Sequence, residues 1–172
     1  IWSDDELLNA LVAYDALHYQ VHLHAIGDAA VKQALDAIEA MQRINPPWDR
    51  RPVIVHAQLV RDEDLSRFAQ SGVIANIQPL WCYLDPMNKE LIAPRIGNER
   101  NNQQYRLRSM VKAGAMIAFG SDWPVTSHIP MQAISVPVTR TNAVDGVSEA
   151  WVIEEALTMD ESLSFYTKNA AY

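Results

Sequence analysis

The chain has 172 residues, one cysteine, a formal charge of −7 and a pI near 5.1, enough length for one sizeable core. No run of Lys and Arg would track a phosphate backbone and no stretch approaches the ~20 apolar residues of a bilayer span, so neither nucleic acid nor a membrane is an expected partner. The single cysteine, Cys82, excludes an internal disulfide framework and a cysteine-based zinc pattern, and fits a reducing, cytoplasmic setting.

Ser3 and Glu6 form the S-x-x-E arrangement that caps a helix, which predicts one over about 4–17. The start thus reads as already mid-fold, and both ends as places where a longer chain was cut. An apolar strand follows at about 19–25, then a helix at about 29–42 with Val31, Leu35, Ile38 and Met41 on one stripe. "RPVIVHAQ" (51–58) is nearly continuously apolar and β-branched, as in a strand buried on both faces. "RDEDLSRFAQSG" (61–72) reads as a short helix closed by Gly72, and "VIANIQP" (73–79) as a third strand closed by Pro79. Residues 80–103, with Trp81, Pro86, Pro94, Gly97 and four asparagines, are too long and irregular for an ordinary connection and predict a functional loop or lid. A helix at 104–113, a fourth strand "AMIAFGSD" (115–122) and helices at about 130–140 and 160–171 complete the pattern.

Strand and helix alternate, which predicts an α/β fold with a parallel sheet and crossover helices. A doubly wound sheet and a (β/α) barrel both give this order. Spacing favours the barrel. His24 and His56 are 32 residues apart, and His56 and Asp122 are 66 apart, close to one and two units of about 31 residues in an eight-unit barrel. All three sit at carboxyl ends of strands, the face on which such barrels build their sites.

In an extended chain His22 and His24 share a face. Two imidazoles and a carboxylate are the ligand types of a catalytic zinc, or of manganese, nickel or iron(II), with positions left open for water and substrate. Asp122 would accept the proton of the attacking water and pass it to the leaving group. Each residue also has a plainer reading: a histidine at a strand end serves as a hydrogen-bonded core residue, and Asp122 in "GSDWP" as a strand terminator opening a turn before Pro124. Asp28 reads as the cap of the next helix, its carboxylate accepting an amide near Val31. His22, a layer deeper, reads as a supporting or core residue, and His18 and His128 have no motif around them.

"HAIGDAAVKQALDAIE", "RPVIVHAQLV", "GVIANIQP" and "AFGSDWPV", in this order and spacing, resemble the second half of the metal-dependent amidohydrolase superfamily, most nearly the branch containing N-substituted formamide deformylase. "SVPVTRTN" and "LTMDESLSFYTKNAAY" resemble that branch too, so the likeness spans nearly all of residues 1–172. It implies a partial (β/α)8 TIM-type barrel, approximately strands five to eight, with His24 ending the fifth strand, His56 the sixth and Asp122 the eighth. It further implies that His24, His56 and Asp122 bind a divalent metal, zinc foremost, as one or two ions, and that Asp122 is catalytic. The family's first-strand His-x-His pair and fourth-strand bridging residue have no counterpart in this sequence.

The leading expectation is therefore a metal-dependent hydrolase of amide or other non-peptide carbon–nitrogen bonds, acting on a small-molecule amide-type substrate, of which this chain is a fragment. Gln78, Trp81, Tyr83 and Trp123 are the expected pocket parts, favouring an aromatic or apolar group. A nucleobase-type deaminase is the alternative within the superfamily, but Gly27 stands where its proton-shuttling glutamate belongs. Another alternative is an inactive half-barrel that self-associates, since its two exposed strand edges favour a homo-oligomer.

Overall fold

The computed structural model describes residues 2–142 and 149–172. Its centre is a four-stranded sheet of β1 (His22–Ala25), β2 (Val53–His56), β3 (Ile74–Ile77) and β4 (Met116–Phe119), ordered β1-β2-β3-β4 with every pair parallel. This is an α/β sheet consistent with part of a TIM-type barrel. The strands fall inside the expected ranges but are shorter, because Arg51, Ala57 and Asp122 are left-handed and Pro79 opens a 3₁₀ turn. Helix α1 (Asp4–Ala16) precedes β1, and α2 (Asp28–Ile44) and α3 (Asp62–Ser71) are the crossovers from β1 to β2 and from β2 to β3. Ser3 and Glu6 make the expected reciprocal cap, and Gly72 closes α3 in the left-handed conformation at φ 66°.

Asp28 differs from expectation. Gly27 occupies the cap position with no side-chain bond, and the Val31 amide bonds the Gly27 carbonyl. The Asp28 carboxylate instead accepts from the Ala29 amide at 3.0 Å and from Arg100 Nη2 at 3.0 Å, as the first helical residue sits too far along to reach back over the cap. That ion pair ties the 80–103 segment to the start of α2. The segment itself is a run of short turns: a 3₁₀ turn at Pro79–Trp81, a π turn at Asn88–Ile92, α4 (Ala93–Ile96) and α5 (Asn98–Asn101). Then come α6 (Leu107–Lys112), α7 (Pro130–Ile134), α8 (Val136–Thr139) and α9 (Met159–Tyr166). The helix expected at 130–140 is thus two short ones. Pro137, lacking an amide hydrogen, sits at the start of the second.

The two faces of the sheet differ. Leu23, Ala25, Ile54, Ala75, Ile77, Ile117 and Phe119 point to the helices and join the main core with Leu35, Ile38, Met41 and Phe68. The alternate residues Val53, Ile74 and Ala118 make only a small cluster on the opposite face. Period-two alternation puts His22, His24 and Asn76 on that second face. His22 is exposed there, so of its two expected roles, supporting or core, the fold does not give it the core one.

A buried ion pair anchors α1. Asp15, 2% exposed, accepts from Arg50 Nε at 2.8 Å and Nη2 at 3.1 Å, from Trp48 Nε1 at 2.9 Å and from Asn45 Nδ2 at 2.8 Å. Burial works to raise the Asp15 pKa, but these donors outweigh it and hold the carboxyl below its ordinary value. At the other end of the chain, Thr158 and Glu161 cap α9 reciprocally, and Arg108 grips Glu161 through two bonds of 2.8 and 2.7 Å. Arg108 with the Thr158 bonds pulls the Glu161 carboxyl from 4.5 to about 2. The folded value lies below the unfolded one, so this contribution is complete above about pH 4.5 and is lost as pH falls toward 2. Urea denaturation across that window should show a steeper acid loss of stability for the unaltered chain than for Glu161→Gln. Equal slopes would remove Glu161 as the cause.

Candidate active site

His24 is the last residue but one of β1 and His56 ends β2, and their rings meet at the carboxyl end of the sheet. His24 Nδ1 lies 3.0 Å from His56 Nε2, with ring centroids 4.3 Å apart and planes at 73°. Alternation alone would not bring them together. Val53 lies on the open face, so His56, three residues on, should point to the helices. Backbone conformation changes its course: His56 at φ 74° and Ala57 at φ 42° are left-handed, a region that non-glycine residues rarely occupy and that collects at functional sites.

A chain of amides fixes the His56 ring. Gln78 Nε2 donates to Asn76 Oδ1 at 3.0 Å, which leaves Gln78 Oε1 facing His56 Nδ1 at 2.7 Å. In this arrangement Nδ1 carries the hydrogen and Nε2 offers its lone pair toward His24. Trp81 stacks on the other side of His56, with planes at 13° and centroids 5.4 Å apart. Burial lowers the His56 pKa, and His24 and His22 add to the effect; Gln78 and Asp122 act in the opposite direction.

Asp122 follows β4 and is exposed. Its backbone, left-handed at φ 54°, does open a turn, the Val125 amide bonding the Asp122 carbonyl at 2.8 Å. The plainer turn reading is therefore correct for the main chain. The carboxylate takes no part in that turn and is near enough to His56 to act on its charge. Among the described residues no three His, Cys, Asp or Glu side chains are grouped so as to hold a metal ion. The structure thus pairs His24 with His56 and leaves Asp122 as an electrostatic neighbour.

Of the expected pocket parts, Trp81 and Tyr83 line a cavity beside the histidines. Gln78 is 2% exposed and orients His56, because its amide is engaged on both sides; Trp123 is 67% exposed and its ring meets that of His128 edge-on. Asn76 was missed by the sequence reading. Its signal was available: Asn76 and Gln78 stand two apart at a strand end, the same spacing that singled out His22 and His24. His18 packs against Trp48, with centroids 5.0 Å apart, away from this centre.

Comparison with known proteins agrees with this architecture. The profile of the amidohydrolase family matches residues 1–172. The protein LONG AFTER FAR-RED 3 of Arabidopsis thaliana is 32% identical over 172 residues, which are 99% of this chain and 29% of that protein. N-substituted formamide deformylase of Arthrobacter pascens is 27% identical over 99% of this chain and 30% of its own length. The crystal structure of an uncharacterized metal-dependent hydrolase from Pyrococcus furiosus superposes with a TM-score of 0.79 at 30% identity, over 99% of this chain and 32% of that one. The chain therefore spans about a third of the length of the relatives it matches.

Proposed function

Because the chain belongs to the amidohydrolase family, we propose that it supplies part of the catalytic end of a metal-dependent hydrolase that cleaves amide or other non-peptide carbon–nitrogen bonds. The four strands correspond in this reading to strands five to eight of the barrel, and residues 80–103 to a lid. One observation carries the proposal: two imidazoles meet at the carboxyl end of a parallel sheet with the ring of one fixed by a buried amide. Histidine ligands characteristically give their second ring N–H to such an oxygen, which leaves the other nitrogen free to ligate. The 3.0 Å between His24 Nδ1 and His56 Nε2 is also close to the ~3.3 Å that separates two nitrogens around a tetrahedral ion. By ligand type, though not by their spacing in this structure, His24, His56 and Asp122 suit a divalent metal, zinc foremost.

When bound, such a metal would make a water easier to deprotonate and would polarise the scissile carbonyl. The chain's residues do the rest. Gln78 holds the hydrogen on His56 Nδ1, and Asp122 accepts the proton of the attacking water and passes it to the departing nitrogen. The substrate is a small-molecule amide. Among the described residues β1 and β4 each pair on one side only, which supports association of copies when the 172-residue chain stands alone. The free Cys82 thiol is buried, which supports a reducing, cytoplasmic setting, and no helix among the described residues is long and apolar enough to cross a membrane.

A chain without turnover of its own is the second reading, favoured by the lack of a three-ligand group among the described residues. The two are separated by stripping metal, resupplying zinc and assaying N-formyl and N-acyl amines, first with the 172-residue chain and then with the gene product that contains it. The 172-residue chain should hold zinc weakly and hydrolyse nothing at a useful rate. The gene product should lose activity on stripping, regain it with zinc, and regain none after His24→Ala plus His56→Ala. Activity untouched by stripping would end the hydrolase proposal in this form.

A further inference from the structure

The segment 80–103 is held firmly at its ends and lightly in its middle. Where it leaves the sheet, the Trp81 amide bonds the Gln78 carbonyl at 3.1 Å and the indole stacks on His56. Where it returns, the Tyr105 amide donates to the Gln58 carbonyl at 2.8 Å, Gln58 Nε2 donates to Gln104 Oε1, and Trp151 Nε1 donates to Asn102 Oδ1 at 3.0 Å. Between these clamps, residues 84–100 keep their hydrogen bonds within 83–103, with one exception among the described residues. Arg100 Nη2 donates to Asp28 Oδ2.

Asp28 belongs to the "HAIGD" run that contains His24, and the chemistry of the site gives it no task. Its place in the fold does. The segment departs after β3, is pinned by Asp28 beyond β1 and rejoins the fold at Gln58 beyond β2, so it arches across the end of β2, where His56 stands. A cavity of about 600 Å³ is lined by Met87 and Ile92 of this arch, by Ile26 and Val125 beyond β1 and β4, and by the buried Gln58 and Tyr105. Gly97 supplies a pivot. At φ 82° and ψ 154°, between α4 and α5, it holds a conformation essentially reserved for glycine. The pin itself is weak, since the Asp28 and Arg100 side chains are 28% and 48% exposed and exposed pairs shift an equilibrium only a few-fold.

We infer that residues 84–100 open and close over the cavity about Gly97, with the Asp28–Arg100 ion pair as the latch, so that these two are positioning residues controlling the entry of a small-molecule amide. The inference rests on the hydrolase reading only for the identity of what enters.

Solvent contact inside the cavity tests the latch without turnover. In the 172-residue chain, the readout is the paramagnetic relaxation that dissolved TEMPOL, a small neutral nitroxide, imparts to the side-chain protons of Gln58 and Tyr105. At about 20 mM NaCl, Asp28→Asn and Arg100→Met should each raise it about 2- to 5-fold, and combining them should add nothing. Arg100→Met leaves Asp28 at the start of α2, so it reads the latch even where Asp28→Asn unsettles that helix. Raising NaCl to about 500 mM should open the unaltered chain as far and leave the variants where they are, a dependence that a packing role would not show. Iodoacetamide labelling of Cys82, buried at the clamped end, should be alike in all of them. Unchanged TEMPOL contact in Arg100→Met would overturn the latch, and so would Cys82 labelling that rises with the contact, because the whole segment would then be coming loose. Either result leaves the hydrolase reading intact, whereas a gene product that hydrolyses nothing would sink that reading and leave the latch standing.

Discussion

Replacing Asp122 with asparagine should lower turnover of an N-acyl amine by about 10²–10⁴, the usual range for removing an acid–base group, in the gene product that contains this chain. The substitution isolates one function. Asn tolerates the left-handed backbone that Asp122 adopts at φ 54°, and the turn bond from the Val125 amide uses the main-chain carbonyl, so the fold has no reason to change. An amide oxygen can still approach a cation. It cannot take a proton from water at neutral pH. The loss should therefore fall on kcat, with KM and the circular dichroism spectrum little altered. Near-normal turnover would assign the proton transfer to another group, and a parallel rise in KM would make Asp122 a binding residue.

The largest effect on stability is expected at Asp15. Removing one member of a buried, hydrogen-bonded ion pair typically costs about 3–5 kcal/mol, because the partner stays buried without compensation. Asp15→Ala would leave the Arg50 guanidinium with only the carbonyls of Asn45 and Pro46, and would orphan Trp48 Nε1 as well. Among the described residues, α1 would keep only the bond from Asn45 Nδ2 to the Val12 carbonyl as a hydrogen bond to the segment after α2. Urea unfolding of Asp15→Ala, Arg50→Met and the double variant should give a double variant less destabilised than the sum of the singles, since each single leaves the other group unpaired. Additive losses, or an Asp15→Ala cost under about 1 kcal/mol, would show that the pair is solvated and contributes little.

Much of the fold was legible because it depends on local pattern. The capping box of Ser3 and Glu6, the glycine stop at Gly72 and the apolar strands each follow from a few neighbouring residues, and each is where the sequence puts it. Strand lengths were overestimated, since left-handed Arg51, Ala57 and Asp122 and the 3₁₀ turn at Pro79–Trp81 cut the extended path short. His24 and His56 could be linked by spacing, which reads the repeat of strand and helix. Their contact could not be derived from alternation, because it depends on left-handed turns at His56 and Ala57 that only the surrounding packing imposes. Gln78 was legible as polar and near the site, but not as the partner that sets the His56 ring. That role needs β2 and β3 side by side. Asp28 misled because an acidic residue at a helix start is equally good as cap or as first-turn residue, and Arg100, 72 positions away, decides its bonds.

Gly120 gives this arrangement a reach beyond the histidines. Its φ is ordinary, so its need is for room: a methyl group there would stand 3.2 Å from Asn76 Oδ1, the atom that aligns Gln78. Crowding at a position three strands from His24 would thus fall first on the Asn76 amide, whose oxygen accepts from Gln78. Anyone diversifying this protein would meet, at what looks like a neutral strand exit, a contact with the amides behind His56. Positions 120, 76, 78 and 56 are better varied together, as one unit of inheritance, than one at a time.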